Sequence, residues 1–157
     1  MFIVVFTSAP QISKAVDDAY YSLKPEQIVT YIKRNEGQRR VVFLYASWCG
    51  YCRAAMPQMI ALEQSNPGSV IAVSIDKNPQ KLTDYMRKFQ NVPFDIIVWN
   101  REQNLNAQLG RLGIKPTRGI PFAALLNEEG RIHKQGNLRT QDIIRYISSA
   151  PEKSKRI

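Results

Sequence analysis

Residues 41–46, VVFLYA, form an unbroken apolar run rich in β-formers. The only two cysteines of the 157-residue chain follow at once, Cys49 and Cys52, with Gly50 and Tyr51 between them. An apolar run without alternation marks a strand covered on both faces. Such a strand needs helices above and below it, which points to an α/β layer architecture. The next segment, CRAAMPQMIALEQSN (52–66), supplies a helix with Met56, Met59, Ile60 and Leu62 as its apolar residues. Pro57 lies inside it and predicts a kink, because proline has no N–H and its ring crowds the preceding turn. The two cysteines therefore sit where a buried strand passes into a helix.

The rest of the chain fits the same architecture. KPEQIVTYIKRNEG (24–37) reads as a helix, with Pro25 in its first turn, Ile28, Tyr31 and Ile32 on one face, and Gly37 as its stop. SVIAVSI (69–75) is a second buried strand, and Asp76 to Pro79 a turn into the helix QKLTDYMRKF (80–89). PFDIIVW (93–99) is a short strand and NLNAQLGRLG (104–113) a short helix. IPFAALL (120–126) and RIHK (131–134), joined by NEEG, read as a hairpin, and Thr140 is placed to cap a last helix carrying Ile143, Ile144 and Ile147. The order is βα, βα, αβα, ββα around one mixed sheet. Residues 12–23 read as a first helix or an irregular lead-in. The apolar start, MFIVVFTSA, reads as a short strand, with a degenerate export signal as its rival, because it lacks a basic leading region. The expected organisation is a lead-in over 1–24, one domain over 25–150 and a loose basic tail over 151–157.

Charge and ligand count narrow the function. The chain carries 22 Lys and Arg against 13 Asp and Glu, a net charge of +9. That gives a salt-screened attraction to anionic surfaces or an acidic partner. The basic residues are scattered, and no nucleic-acid-binding motif accompanies them, so no nucleic-acid partner is expected. A structural zinc site wants four Cys or His ligands, and His133 alone remains beyond the cysteine pair; no metal is expected. His133 itself reads as a surface or sheet histidine. Two cysteines in a chain long enough to bury a core are not a disulfide scaffold either.

What remains is redox chemistry. A sulfur at the start of a helix faces unpaired backbone N–H groups and the positive end of the helix dipole, so Cys49 is favoured as the thiolate, the form that attacks disulfides. Cys52 lies one turn further on, more buried, placed to resolve a mixed disulfide. The competing reading is a pair of buried structural cysteines.

The segment YASWCGYCRAAMP resembles the active site of the thioredoxin superfamily, in which W-C-x-x-C is followed by a helix-kinking proline. RGIPFAALLNEEGRI resembles the segment carrying that family's cis-proline, matched by Pro121 with Ile120 before it. The resemblance covers about residues 25–150 and implies a thioredoxin fold, a central mixed β-sheet flanked by helices. Chain beyond the minimal fold between Asp76 and Gly119, an extra helix and strand before the cis-proline, resembles the insertion of the TlpA/ResA branch. The implied catalytic pair is Cys49 and Cys52, and the implied substrate groove is Trp48, Gly50, Tyr51, Ile120, Pro121 and Gly136. No cofactor is implied beyond the redox-active pair. The implied partners are disulfide-containing proteins and an upstream thiol donor, and a monomer is expected. The branch favours a bacterial periplasm or cell envelope over the cytoplasm.

The departures from the pattern are specific. The family often places a carboxylate six residues before the first cysteine, where this chain has Phe43. The TlpA/ResA branch often places a Glu three residues after the second, where this chain has Ala55. Both usual proton acceptors for the second thiol are absent. Gly50–Tyr51 resembles a disulfide isomerase, whereas Ile120 before the cis-proline resembles reducing thioredoxins. The expected function is a thiol–disulfide oxidoreductase acting mainly as a reductase. The alternatives are an oxidase or isomerase, and a binding or chaperone module with an idle pair. Arg118 is a candidate for attracting an acidic substrate.

Overall fold

A computed structural model describes residues 20–34, 37–101, 103–116 and 119–149. Its centre is β2 (Arg40–Tyr45), buried along its whole length, as the unbroken apolar run requires. β2 pairs in parallel with β3 (Val70–Ser74) on one side and antiparallel with β5 (Phe122–Leu126) on the other. β4 (Ile96–Trp99) extends the sheet beyond β3, β1 (Tyr20–Leu23) closes that edge, and β6 (Ile132–Gly136) closes the other. The six-stranded order is β1-β4-β3-β2-β5-β6, a mixed sheet.

Period-two alternation along β2 splits the core into two layers. Val41, Phe43 and Tyr45 face α2 (Gly50–Ser65), α3 (Pro79–Met86) and α5 (Thr140–Ser148), through Met56, Met59, Leu82, Met86 and Ile143. Val42 and Leu44 face α1 (Pro25–Arg34) and α4 (Leu105–Gly110), through Ile28, Ile32, Leu105 and Leu109. The result is the expected α/β class, with α3, β4 and α4 inserted between β3 and β5.

Two local expectations are corrected. Tyr20–Leu23 is a strand, parallel to β4 with Tyr20 opposite Ile96, rather than helix or irregular chain. An exposed four-residue edge carries no periodicity of its own, so β4 decides its state. Thr140 does not cap α5: Arg139 holds the cap position in extended conformation without a side-chain cap bond. Arg139 instead donates from Nε and Nη2 to the Asp142 carboxylate, at 3.0 and 3.2 Å. α2 runs through Pro57 as one helix, with the ring on the solvent side; the missing N–H leaves the Arg53 carbonyl without its helical donor. The apolar N-terminal segment, most of residues 12–23, Arg118 and the basic tail lie outside the described residues.

Candidate active site

β2 ends at Tyr45, and the chain crosses to α2 in four residues, so the cysteines are carried at the end of the most buried strand of the fold. Cys49 is the residue preceding the first turn of α2, extended at φ −84° and ψ 115°. Its Sγ accepts the Cys52 backbone N–H at 3.2 Å. At most helix starts a side-chain oxygen takes that bond; in this protein a sulfur does, and the bond is strongest when the acceptor is negative. On its other side the Cys49 thiol lies 3.7 Å from the Ile120 carbonyl oxygen and donates to it. The Ile120–Pro121 peptide bond is cis.

Cys52 is 1% exposed and Cys49 8%, and both are free thiols. The Cys52 pKa is pushed up to about 12, first by burial, which penalises the charged form, then by hydrogen bonding to Cys49 and by the Cys49 charge. Neither position at which the family often carries a carboxylate supplies one here to take the proton. At the position six before Cys49, Phe43 stacks on Tyr45 at 5.9 Å between ring centroids, filling the layer under α2 with apolar surface. At the position three after Cys52, Ala55 is buried.

Around the sulfurs the surface is open, with apolar rings beside polar groups that include Gln58, Asn137 and Arg139. Trp48 is 66% exposed and Tyr51 82%, two large rings standing in solvent on either side of Cys49 in the sequence. Exposed side chains of that size point to a contact surface. Tyr51, Ala55, Pro121 and Leu138 border one cavity of about 320 Å³. Trp48 and Ile120 border a second, also of about 320 Å³. Gly50 is the exposed first residue of α2. Gly136 ends β6 opposite Ala123 at φ +135°, a conformation that favours glycine. The structure thus brings Trp48, Cys49, Gly50, Tyr51, Cys52, Ile120 and Pro121 to one end of the sheet. His133 stacks on Tyr146 at 4.3 Å, within the β6–α5 packing.

Asp76 was legible only as a turn residue, yet it holds the site's loop. Its buried carboxylate accepts the Ser47 backbone N–H at 2.8 Å, the Ser47 hydroxyl at 2.6 Å and the Ser74 hydroxyl at 2.7 Å. These bonds tie the end of β3 to the residue two before Cys49. The available signal was its place at the carboxyl end of a buried parallel strand, where α/β proteins gather functional groups.

Comparisons with known proteins agree with this geometry. The chain is 26% identical over 106 residues to sporulation thiol-disulfide oxidoreductase A of Bacillus subtilis, a match covering 64% of this chain and 59% of the relative. It therefore spans less than two thirds of that curated relative. Among solved structures, a thiol:disulfide interchange protein from a Bacteroides species superposes with a TM-score of 0.60 at 15% identity, covering 78% of this chain and 82% of that one. The thioredoxin domain of a thiol-disulfide oxidoreductase from Bacteroides vulgatus gives 0.59 at 17%, covering 73% and 79%. The fold is the thioredoxin fold, in keeping with the TlpA/ResA-like resemblance of the WCGYC segment and its insertion. The family model described as Redoxin matches residues 7–145, and the chain belongs to the Redoxin family.

Proposed function

We propose that this protein is a thiol–disulfide oxidoreductase working mainly as a disulfide reductase. The observation that carries the reading is the polarity of the pair. The Cys49 sulfur takes the Cys52 N–H at a helix start, while the Cys52 thiol is buried behind it and holds its proton. One sulfur is prepared to attack and the other is kept neutral until needed. The Cys49 thiolate attacks one sulfur of a protein disulfide, forming a Cys49–substrate disulfide and releasing the other substrate sulfur as thiolate. Cys52 then loses its proton and attacks Cys49 Sγ. The Cys49–Cys52 disulfide forms, the second substrate sulfur leaves, and the substrate has gained two electrons. A thiol donor re-reduces the pair by the same exchange in reverse. The chemistry needs no metal or organic cofactor.

Trp48, Tyr51, Ile120 and Pro121 give the substrate chain an apolar seat around Cys49, with Gly50 and Gly136 leaving room for its backbone. Ile120 before Pro121 supports the reducing direction. The test is Cys52→Ser, which should trap substrate on Cys49 as a disulfide cleaved by dithiothreitol. Absence of any adduct with oxidised protein substrates would overturn the reading in favour of an idle pair. Direction is read from the reduction potential: a value near about −270 mV matches a reductase and one near about −120 mV an oxidase, a gap of about 7 kcal/mol for two electrons.

A further inference from the structure

Of the cavities beside Cys49, the one on the Trp48 side is built largely from the inserted segment. Trp48, Ile75 and Ile120 line it together with Trp99, Leu105 and Asn106. Among the described residues that line it, none is charged. Its volume, about 320 Å³, lies at the low end of ligand pockets and suits one large side chain.

Trp99 is held in place. Trp99 donates its indole N–H to the Gln103 carbonyl at 3.0 Å, so its polar atom is satisfied and only the apolar body of the ring is on offer. The Arg101 guanidinium lies 5.0 Å from the Trp99 ring centroid and donates to the Ile75 carbonyl at 2.6 Å. Arg101 adopts φ +66°, a conformation uncommon outside glycine, asparagine and aspartate. One side chain thereby braces the ends of β3 and β4 and the face of the second indole. Preorganised aromatic walls of this kind bind with little ordering cost.

Continuity with the reacting sulfur identifies the occupant. The Ile120 carbonyl touches the Cys49 thiol, and Ile120 also lines the bay. A substrate chain whose cysteine is joined to Cys49 passes within a residue or two of this opening. We propose that the bay is a specificity subsite that receives an aromatic side chain lying close in sequence to the substrate's reacting cysteine. Two indoles favour a ring over an aliphatic chain, because ring pairs in offset or edge-on contact gain beyond the area they bury. A lining uncharged among the described residues, with the Arg101 cation resting on Trp99, disfavours Lys and Arg at the same place. This inference rests on the reductase reading and names the substrates it selects.

The test uses the full chain, reduced, in single-turnover reactions with homodimeric disulfides of three peptides, Gly-Phe-Gly-Cys-Gly, Gly-Cys-Gly-Phe-Gly and Gly-Ser-Gly-Cys-Gly. Hydroxyethyl disulfide serves as a reference too small to reach the bay. At least one Phe peptide should react about tenfold faster than the Ser peptide. Asn106→Arg places a long charged side chain over the bay from an exposed position of α4 and should bring the Phe:Ser rate ratio close to one. A general loss of folding slows all peptides alike and leaves the ratio unchanged. Equal rates for Phe and Ser peptides in the wild type, or a ratio that survives Asn106→Arg, would overturn the subsite while the reductase reading stands. Failure to reduce even hydroxyethyl disulfide would overturn both.

Discussion

Because Cys52 lacks a carboxylate to take its proton, the second step of exchange should depend steeply on pH. In the reduced pair its pKa stands at about 12. At pH 7 that corresponds to roughly one thiolate in 10⁵. Two of the causes, the hydrogen bond to Cys49 and the Cys49 charge, disappear once Cys49 is tied up in a mixed disulfide; burial, the largest cause, remains. The resolving thiol therefore stays protonated through neutral pH, and resolution should accelerate about tenfold per pH unit between pH 6.5 and 8.5. The assay is stopped-flow reaction of the reduced protein with one equivalent of an aromatic disulfide whose thiolate absorbs. The first burst reports Cys49, and the second release reports Cys52. A second phase that is flat with pH, or levels off by pH 7, would refute the reasoning.

The same logic says how to repair the step. Ala55 lies three residues after Cys52 on the same helix and borders the cavity with Tyr51 and Pro121, so a longer side chain there has space to enter. A positioned general base contributes about 10²–10⁴-fold. Ala55→Glu should therefore speed the second phase at pH 7 by about a hundredfold and flatten its pH profile. Phe43→Asp is the poorer route. It removes a buried ring stacked on Tyr45, at a cost of about 3–5 kcal/mol against a typical domain stability of about 5–15 kcal/mol. An Ala55→Glu protein with an unaltered second phase would show that proton removal does not limit resolution.

Two further substitutions test the supports of the site. Asp76→Ala removes three hydrogen bonds to a buried carboxylate and should lower stability by about 3–5 kcal/mol in urea unfolding, with a slower first phase as the Ser47–Cys49 loop loosens; Asp76→Asn, which keeps one acceptor, should cost about half as much, and a loss below about 1 kcal/mol for Ala would deny the clamp. Tyr85 has a buried hydroxyl with no hydrogen-bond partner among the described residues, while its ring meets Phe89 edge-on at 5.5 Å. Tyr85→Phe should therefore leave stability unchanged or raise it by up to about 1 kcal/mol; a loss of that size would mean the hydroxyl is bonded in solution.

What could be read from the sequence followed how local its cause was. β2 and α2 were legible because burial on both faces and a CxxC at their junction are written in consecutive residues. The hairpin of β5 and β6 was legible from NEEG, where Gly130 adopts φ +74° and the Asn127 N–H bonds Arg131 across the turn. β1 was not legible, since Tyr20–Leu23 is only partly buried and owes its strand state to Ile96–Trp99, more than seventy positions away. The Asp76 clamp joins residues 29 apart, and the bay draws Trp48, Trp99 and Ile120 from three separate stretches of chain. Local chemistry placed the sulfurs; only the folded sheet shows what braces them and what lies beside them.

The missing proton acceptor and the aromatic bay bear on each other. When resolution is fast, every successful attack is committed, and selectivity is limited to differences in the attack step. When resolution waits for a proton to leave a buried thiol, the released substrate thiolate has time to return and undo the mixed disulfide. Selection is then made at the transition state of resolution, after the substrate has settled around Cys49, and the full contact with Trp48 and Trp99 counts. A substrate that fills the bay is held in place long enough to be resolved, and one that does not is released unchanged. Ala55→Glu, by hastening resolution, should therefore narrow the preference for Phe over Ser peptides even though Ala55 borders the other cavity and not the bay. A preference of the same size in that faster variant would separate the two features and leave the bay acting on attack alone.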